Sequence, residues 1–155
     1  RQQNGQNITL FRVGGEWLAL ETSIVQGVIE PHHFCAIPHR VGTCIRGIAN
    51  IDGDALVVLS LKRILRIESE QTGVDRKHRI YPRMMKLGGS DHPIVVEVDE
   101  VAGQVPYQPE ALKPLPETVS KAMMTYSLGL FQSDTRLIGI LDSDLLRYGL
   151  EQALK

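Results

Sequence analysis

The dipeptide Asp52-Gly53, set between IRGIANI (45–51) and ALVVL (55–59), constrains this chain more than any other feature. A tight two-residue hairpin needs positive φ at its central positions, and Asp-Gly supplies that more readily than most pairs. The run 55–59 is wholly apolar, as in a strand covered on both faces. Gly14-Gly15 repeats the arrangement between 8–13 and 16–20. A chain built from such hairpins is committed to a small barrel or sandwich whose task is to present a surface.

The remaining signals agree. Val25–Ile29 reads as a third strand, stopped by Pro31, and 31–38 reads as a loop carrying Phe34 and Ile37 as an apolar plug. Ser60 is placed to cap a short helix over 61–65. Residues 68–77, ESEQTGVDRK, are polar without periodicity and are expected to form a mobile loop at a lobe boundary. Strands are expected at 80–87, 94–98 and 101–107, with a turn at 88–91. Pro109, Pro114 and Pro116 then mark a connector that no central strand could contain. Strands at 128–131 and 136–141 turn at Ser133-Asp134. Asp142 or Ser143 caps a last helix, whose Leu145, Leu146, Gly149, Leu150, Ala153 and Leu154 recur at helical spacing and need a surface to cover them. No internal repeat stands out, although both halves end in a helix after a strand pair. The polar opening RQQNGQN (1–7) is expected to be disordered.

Bulk properties exclude several classes. Seventeen Lys and Arg against eighteen Asp and Glu give a formal charge of −1, so no basic field awaits a phosphate backbone. No apolar run approaches the roughly 18–20 residues of a membrane span, and no basic-then-apolar leader opens the chain, which points to the cytoplasm. Two cysteines are too few for a disulfide framework.

The side chains that could carry chemistry do not assemble into a reaction. His32, His33, Cys35, His39 and Cys44 crowd one loop, but their spacing matches no standard zinc pattern, so no metal is expected. Asp99 and Glu100 are adjacent, and neighbours in a strand point to opposite faces, so they are not expected to act as an acid/base pair. Asp99 is expected to hydrogen-bond within its own turn. There is no nucleophile elbow, phosphate-binding loop or metalloprotease helix. No enzyme and no cofactor are expected. The competing class is an SH3-like or OB-like barrel that binds a ligand or single-stranded nucleic acid, which needs exposed aromatics beside Lys or Arg. One Trp, three Phe and four Tyr, mostly inside apolar runs, offer few such platforms.

In order, FRVGGEWLALETSIVQGVIE, IPHRVGTCIRG, GIANIDGDALVVLSL, VVEVDEVAG and SLGLFQSDTRLIGILDSDLL resemble the CheW-like domain of bacterial chemosensory adaptors, from about Ile8 to Leu150. The resemblance implies an all-β fold of two small five-stranded SH3-like barrels packed together, with short helices and a C-terminal helix, as one domain of two lobes. It implies a non-catalytic scaffold that couples the cytoplasmic tip of a methyl-accepting chemoreceptor to the regulatory domain of a histidine kinase at receptor arrays. Val25, Gly27 and Asp52 fall at receptor-side positions, and Gly47 and Gly129 at kinase-side ones. The pattern departs from typical members, which carry an acidic residue at the position of Gly27 and Arg at that of Asp52. Unaided by the resemblance, Val25 reads as a core residue, and Gly47 and Gly53 as turn and close-packing glycines. The ANxxG run, VDEVAG and PETVSKAMMTYSLGLF resemble the branch serving as a second adaptor in Wsp-type surface-sensing pathways, which implies a paralogous adaptor as partner and biofilm formation as output.

Overall fold

A computed structural model describes residues 6–36, 44–67, 82–88, 92–119 and 121–154. Gln6 and Asn7, expected in the disordered end, instead open β1 (Gln6–Val13), opposite Tyr107 and Pro106. β1 turns at Gly14 (φ 61°) into β2 (Glu16–Glu21), and a 3-10 turn at Thr22–Ile24 leads to β3 (Val25–Ile29). The supposed loop after it contains a two-residue strand, β4 (Phe34–Cys35), so Phe34 packs from a strand and not from a free plug. Ile37 and His39 lie outside the described residues.

β5 (Ile45–Ile51) and β6 (Asp54–Leu59) form the expected hairpin, with Asp52 at φ 53° and Gly53 at φ 89°. Both central residues have positive φ, the signature of the primed turn. Ser60 caps α1 (Leu61–Ile64), its Oγ accepting from the Arg63 N–H at 3.2 Å. The chain continues through β7 (Arg83–Leu87), β8 (Ile94–Val98) and β9 (Glu100–Tyr107). A helix that the sequence reading did not anticipate, α2 (Lys121–Tyr126), precedes β10 (Ser127–Ser133), β11 (Arg136–Leu141) and α3 (Ser143–Ala153). Asp142 caps α3 by accepting from the Asp144 and Leu145 N–H groups.

The strands make two sheets. The first lobe runs β10-β11-β2-β1-β9 and the second β3-β7-β8-β6-β5-β4. The second thus has six strands where five were expected, the sixth being β4. The 68–77 segment lies outside the described residues, and β6 and β7 on either side of it belong to the same sheet. It is therefore no lobe boundary. The chain crosses between lobes at Thr22–Ile24 and at Asp99.

The two lobes repeat one plan. Ile45–Ile51, the Asp52 turn, Asp54–Leu59 and the Ser60 cap correspond one for one to Ser127–Ser133, Asp134, Arg136–Leu141 and Asp142. The third strand pairs in parallel in each lobe, Leu59 with Val96 and Ile140 with Ala19. Both long strands bulge at the same place, between Ile45 and Gly47 and between Ser127 and Gly129. Only Gly47/Gly129, Asp52/Asp134 and Leu59/Leu141 are identical across these hairpins, which is why the repeat escaped sequence reading.

Alternation divides the side chains among three cores. Ile8, Leu10, Ala19, Tyr107, Ile138 and Ile140 fill the first barrel, and Ala49, Ile51, Leu56, Val58, Met84 and Val95 the second. The neighbours of these residues face a shared core that includes Phe11, Leu18, Leu20, Leu59, Met85, Val96 and Leu141, sealed by Leu146 and Leu150 of α3. Strands wedged between a barrel interior and this shared layer are apolar on both faces, which explains the unbroken apolar runs. Arg136 stacks 3.9 Å over the Trp17 ring at one barrel mouth.

Candidate functional site

An apolar groove of about 240 Å³ opens where α3 lies against the second lobe. Leu146, Leu150 and Leu154 recur every fourth residue, so they form one stripe along α3, and they face Ile24, Leu87 and Ile94. The Gly88 N–H donates to the Ile24 carbonyl at 2.8 Å and closes the floor. His92, Arg147 and Glu151 form a charged and polar rim. Ile24, Leu87, Ile94, Leu146 and Leu150 are themselves buried, so the cleft is narrow, with Leu154 and the polar rim at its open side.

Val25 starts beside this groove, following Ile24 and pairing with Leu87, but its half-buried side chain packs against the shared core. Gly27 lies two residues on, opposite Lys86. A Cβ added there would meet nothing within 4 Å, so the glycine is not a packing requirement. Asp52 is exposed at the tip of the β5–β6 hairpin, next to Ile51 of the second barrel interior, against which Ile29 of β3 also packs. The receptor-side candidates therefore share one lobe, with two on its edge strand β3 and one on a hairpin tip.

Gly47 and Gly129 occupy equivalent bulge positions, and packing explains both. A Cβ on Gly47 would collide with the Cys35 carbonyl and come within 2.8 Å of the Phe34 ring. On Gly129 it would come within 2.7 Å of the Lys113 carbonyl, where Lys113 and Leu130 exchange backbone hydrogen bonds of 2.7 and 2.8 Å. Each glycine lets a final segment cross its strand and close its barrel.

Asp99 does not bond within its own turn. Its Oδ2 accepts from the Gly14 N–H at 2.6 Å and lies 3.8 Å from Arg12 Nη1, while Arg12 Nε donates to Glu100 Oε1 at 2.8 Å. Both carboxylates reach one guanidinium because Asp99 is a bend between β8 and β9, where strand alternation is broken. The cluster ties the β1–β2 turn to a lobe crossing. Burial pushes the Cys44 thiol up, an effect that Arg63 and Arg66 oppose, whereas Cys35 is exposed. Among the described residues no three of His, Cys, Asp and Glu come together as metal ligands, and no helix is long and apolar enough to cross a membrane.

The groove was missed in sequence, although the leucine stripe of the last helix announced that something must cover it. Two fused barrels with a shared core and an apolar cleft at their junction define a binding scaffold. The CheW-like domain model matches residues 7–148, nearly the whole chain, and the chain belongs to that family. In structure it is similar to the scaffolding protein TtCheW from Thermoanaerobacter tengcongensis, with a TM-score of 0.70, 21% identity and 90% of each chain covered. No curated protein gives a significant match.

Proposed function

We propose that this chain is a non-catalytic adaptor that holds a chemoreceptor tip in its apolar groove and a histidine kinase regulatory domain on its strand-bulge faces. The observation that carries this reading is the leucine-lined groove at the lobe junction, beside Val25, in a chain of the CheW-like family. Val25, Gly27 and Asp52 serve the receptor side. Gly47 and Gly129 serve the kinase side through backbone geometry, by holding the barrel ends in shape. Gly27 and Asp52, at positions where typical members carry an acid and Arg, fit a receptor of altered charge and a second-adaptor role in surface sensing at the membrane's inner face, beside a paralogous adaptor. Modest affinity at each face suffices, because an array multiplies weak contacts through effective concentration.

Calorimetry with a receptor-tip fragment and the kinase regulatory domain tests the assignment. Leu154 lines the groove in the last turn and is only half-buried, so Leu154→Ser leaves the fold standing. We expect it to weaken receptor binding about tenfold, the loss of roughly one buried apolar side chain's contribution, and to leave kinase binding unchanged. Equal loss for both partners, or no binding by the unaltered chain, contradicts the reading.

A further inference from the structure

The last helix sits on its lobe less firmly than the corresponding helix of the other lobe. The stripe that α3 turns toward the shared core begins one turn before Leu146, at Ser143, since 143, 146, 150 and 154 recur at helical spacing. The Ser143 Oγ is out of reach of solvent and has no hydrogen-bond partner among the described residues. The same holds for the Oγ of Ser127, which opens β10 opposite Leu141, one residue before the Asp142 cap. The two serines flank a single backbone junction, in which the Asp142 N–H donates to the Tyr126 carbonyl at 2.7 Å.

The internal repeat supplies a control. The counterparts of Ser127 and Ser143 in the second lobe are Ile45 and Leu61, which are 7% and 0% exposed and belong to the shared core. The equivalent backbone junction is kept there, with the Ser60 N–H donating to the Cys44 carbonyl at 2.8 Å. The fold thus makes the same seat twice, filled by two apolar side chains under α1 and by two hydroxyls under α3. A buried hydroxyl without a partner favours any state in which water reaches it, by about tenfold in the equilibrium constant. The weaker seat is therefore a property of these two residues and not of the architecture.

We infer that α3 is a lid on the leucine cleft, which leaves its seat as a unit and widens the cleft when it does. Leu146 and Leu150, each 1% exposed, keep the docked state dominant, while Ser127 and Ser143 bring the detached state within reach well below global unfolding. With α3 docked the cleft is narrow, because the residues of its walls bury one another. With α3 detached, Ile24, Leu87 and Ile94 on one wall and Leu146, Leu150 and Leu154 on the other are open to an apolar partner segment. The use of the widened cleft rests on the proposed receptor contact; the motion of the lid does not, being a property of the free chain.

The test is native-state hydrogen exchange on the free chain, followed by NMR at a series of low urea concentrations. The amides of 146–153 are expected to exchange as one set, with protection at least about tenfold below that of β1, β2 and β8 and with a weaker dependence on urea, as a sub-global opening requires. Ser127→Ala with Ser143→Ala removes both hydroxyls without adding bulk and is expected to raise the protection of α3 about tenfold or more. Thermal melting establishes that the double variant folds, and Ser143→Ala alone, expected to raise protection at least about threefold, carries the test if it does not. Equal protection and equal urea dependence in α3 and the strands would mean that the helix opens only with the whole fold, and this overturns the inference. Unchanged exchange of α3 in the alanine variants overturns it as well, since the hydroxyls would then not set the opening. Binding of the receptor-tip fragment is measured separately, so a lid that opens in a chain that binds no receptor refutes the proposed contact and leaves the lid standing.

Discussion

At the scale of single residues, three glycines with similar appearance in sequence have different physical roles. Gly47 and Gly129 stand against backbone carbonyls of Cys35 and Lys113, which cannot move aside without opening a barrel, while Gly27 faces open space. Gly47→Ala is therefore expected to destabilise the fold by about 2 kcal/mol or more through overpacking, and Gly27→Ala to be neutral or stabilising by up to about 0.5 kcal/mol through a stiffer strand. Chemical denaturation of both variants checks this, and equal effects would refute the distinction. A larger substitution at Gly47 is consequently a poor probe of partner binding, because it acts on the fold first. Arg66 offers the opposite case. It ends α1 at φ 54°, with the Ile67 N–H reaching the Lys62 carbonyl at 2.9 Å and its own N–H reaching the Arg63 carbonyl at 3.3 Å. This is a helix stop that favours glycine. Arg66→Gly should raise stability by about 1 kcal/mol by removing the left-handed penalty, measured as a higher Tm.

At the scale of elements, α3 joins folding to binding. One flank of its leucine stripe seals the shared core through Leu146 and Leu150, and the same residues line the groove as far as Leu154. Leu146 is 1% exposed. Leu146→Asp is expected to cost about 4 kcal/mol or more, the lost burial plus an unpaired buried charge, and to lower the Tm sharply. An unchanged Tm would mean that α3 is not part of the core. The hairpins, both helix caps and the closing helix were legible in sequence because each is local: Asp52-Gly53 needs its own φ angles, and Ser60 and Asp142 bond two or three residues ahead. Other features were not legible because they depend on segments far apart in the chain. β4 exists only because β5 runs beside it, and Asp99 reaches Gly14 across the lobe crossing. The groove needs Ile24, Leu87 and Leu150 brought together from three elements.

At the scale of the whole molecule, the chain is one plan used twice, with the copies sharing a core and differing in surface. The repeat was hidden because each copy keeps its inward pattern while few identities survive; Arg46 and Leu128 occupy one outward position, as do Lys62 and Asp144. Equivalent geometry with unlike surfaces suits a protein that holds two different partners at once, and this simultaneous binding is the claim on which the proposed function rests. The direct measurement is sedimentation of the chain saturated with the kinase regulatory domain and then titrated with the receptor-tip fragment. The account predicts a complex of all three, with receptor affinity unchanged within about twofold by the kinase domain. Displacement of one partner by the other would place both on a single face and contradict it.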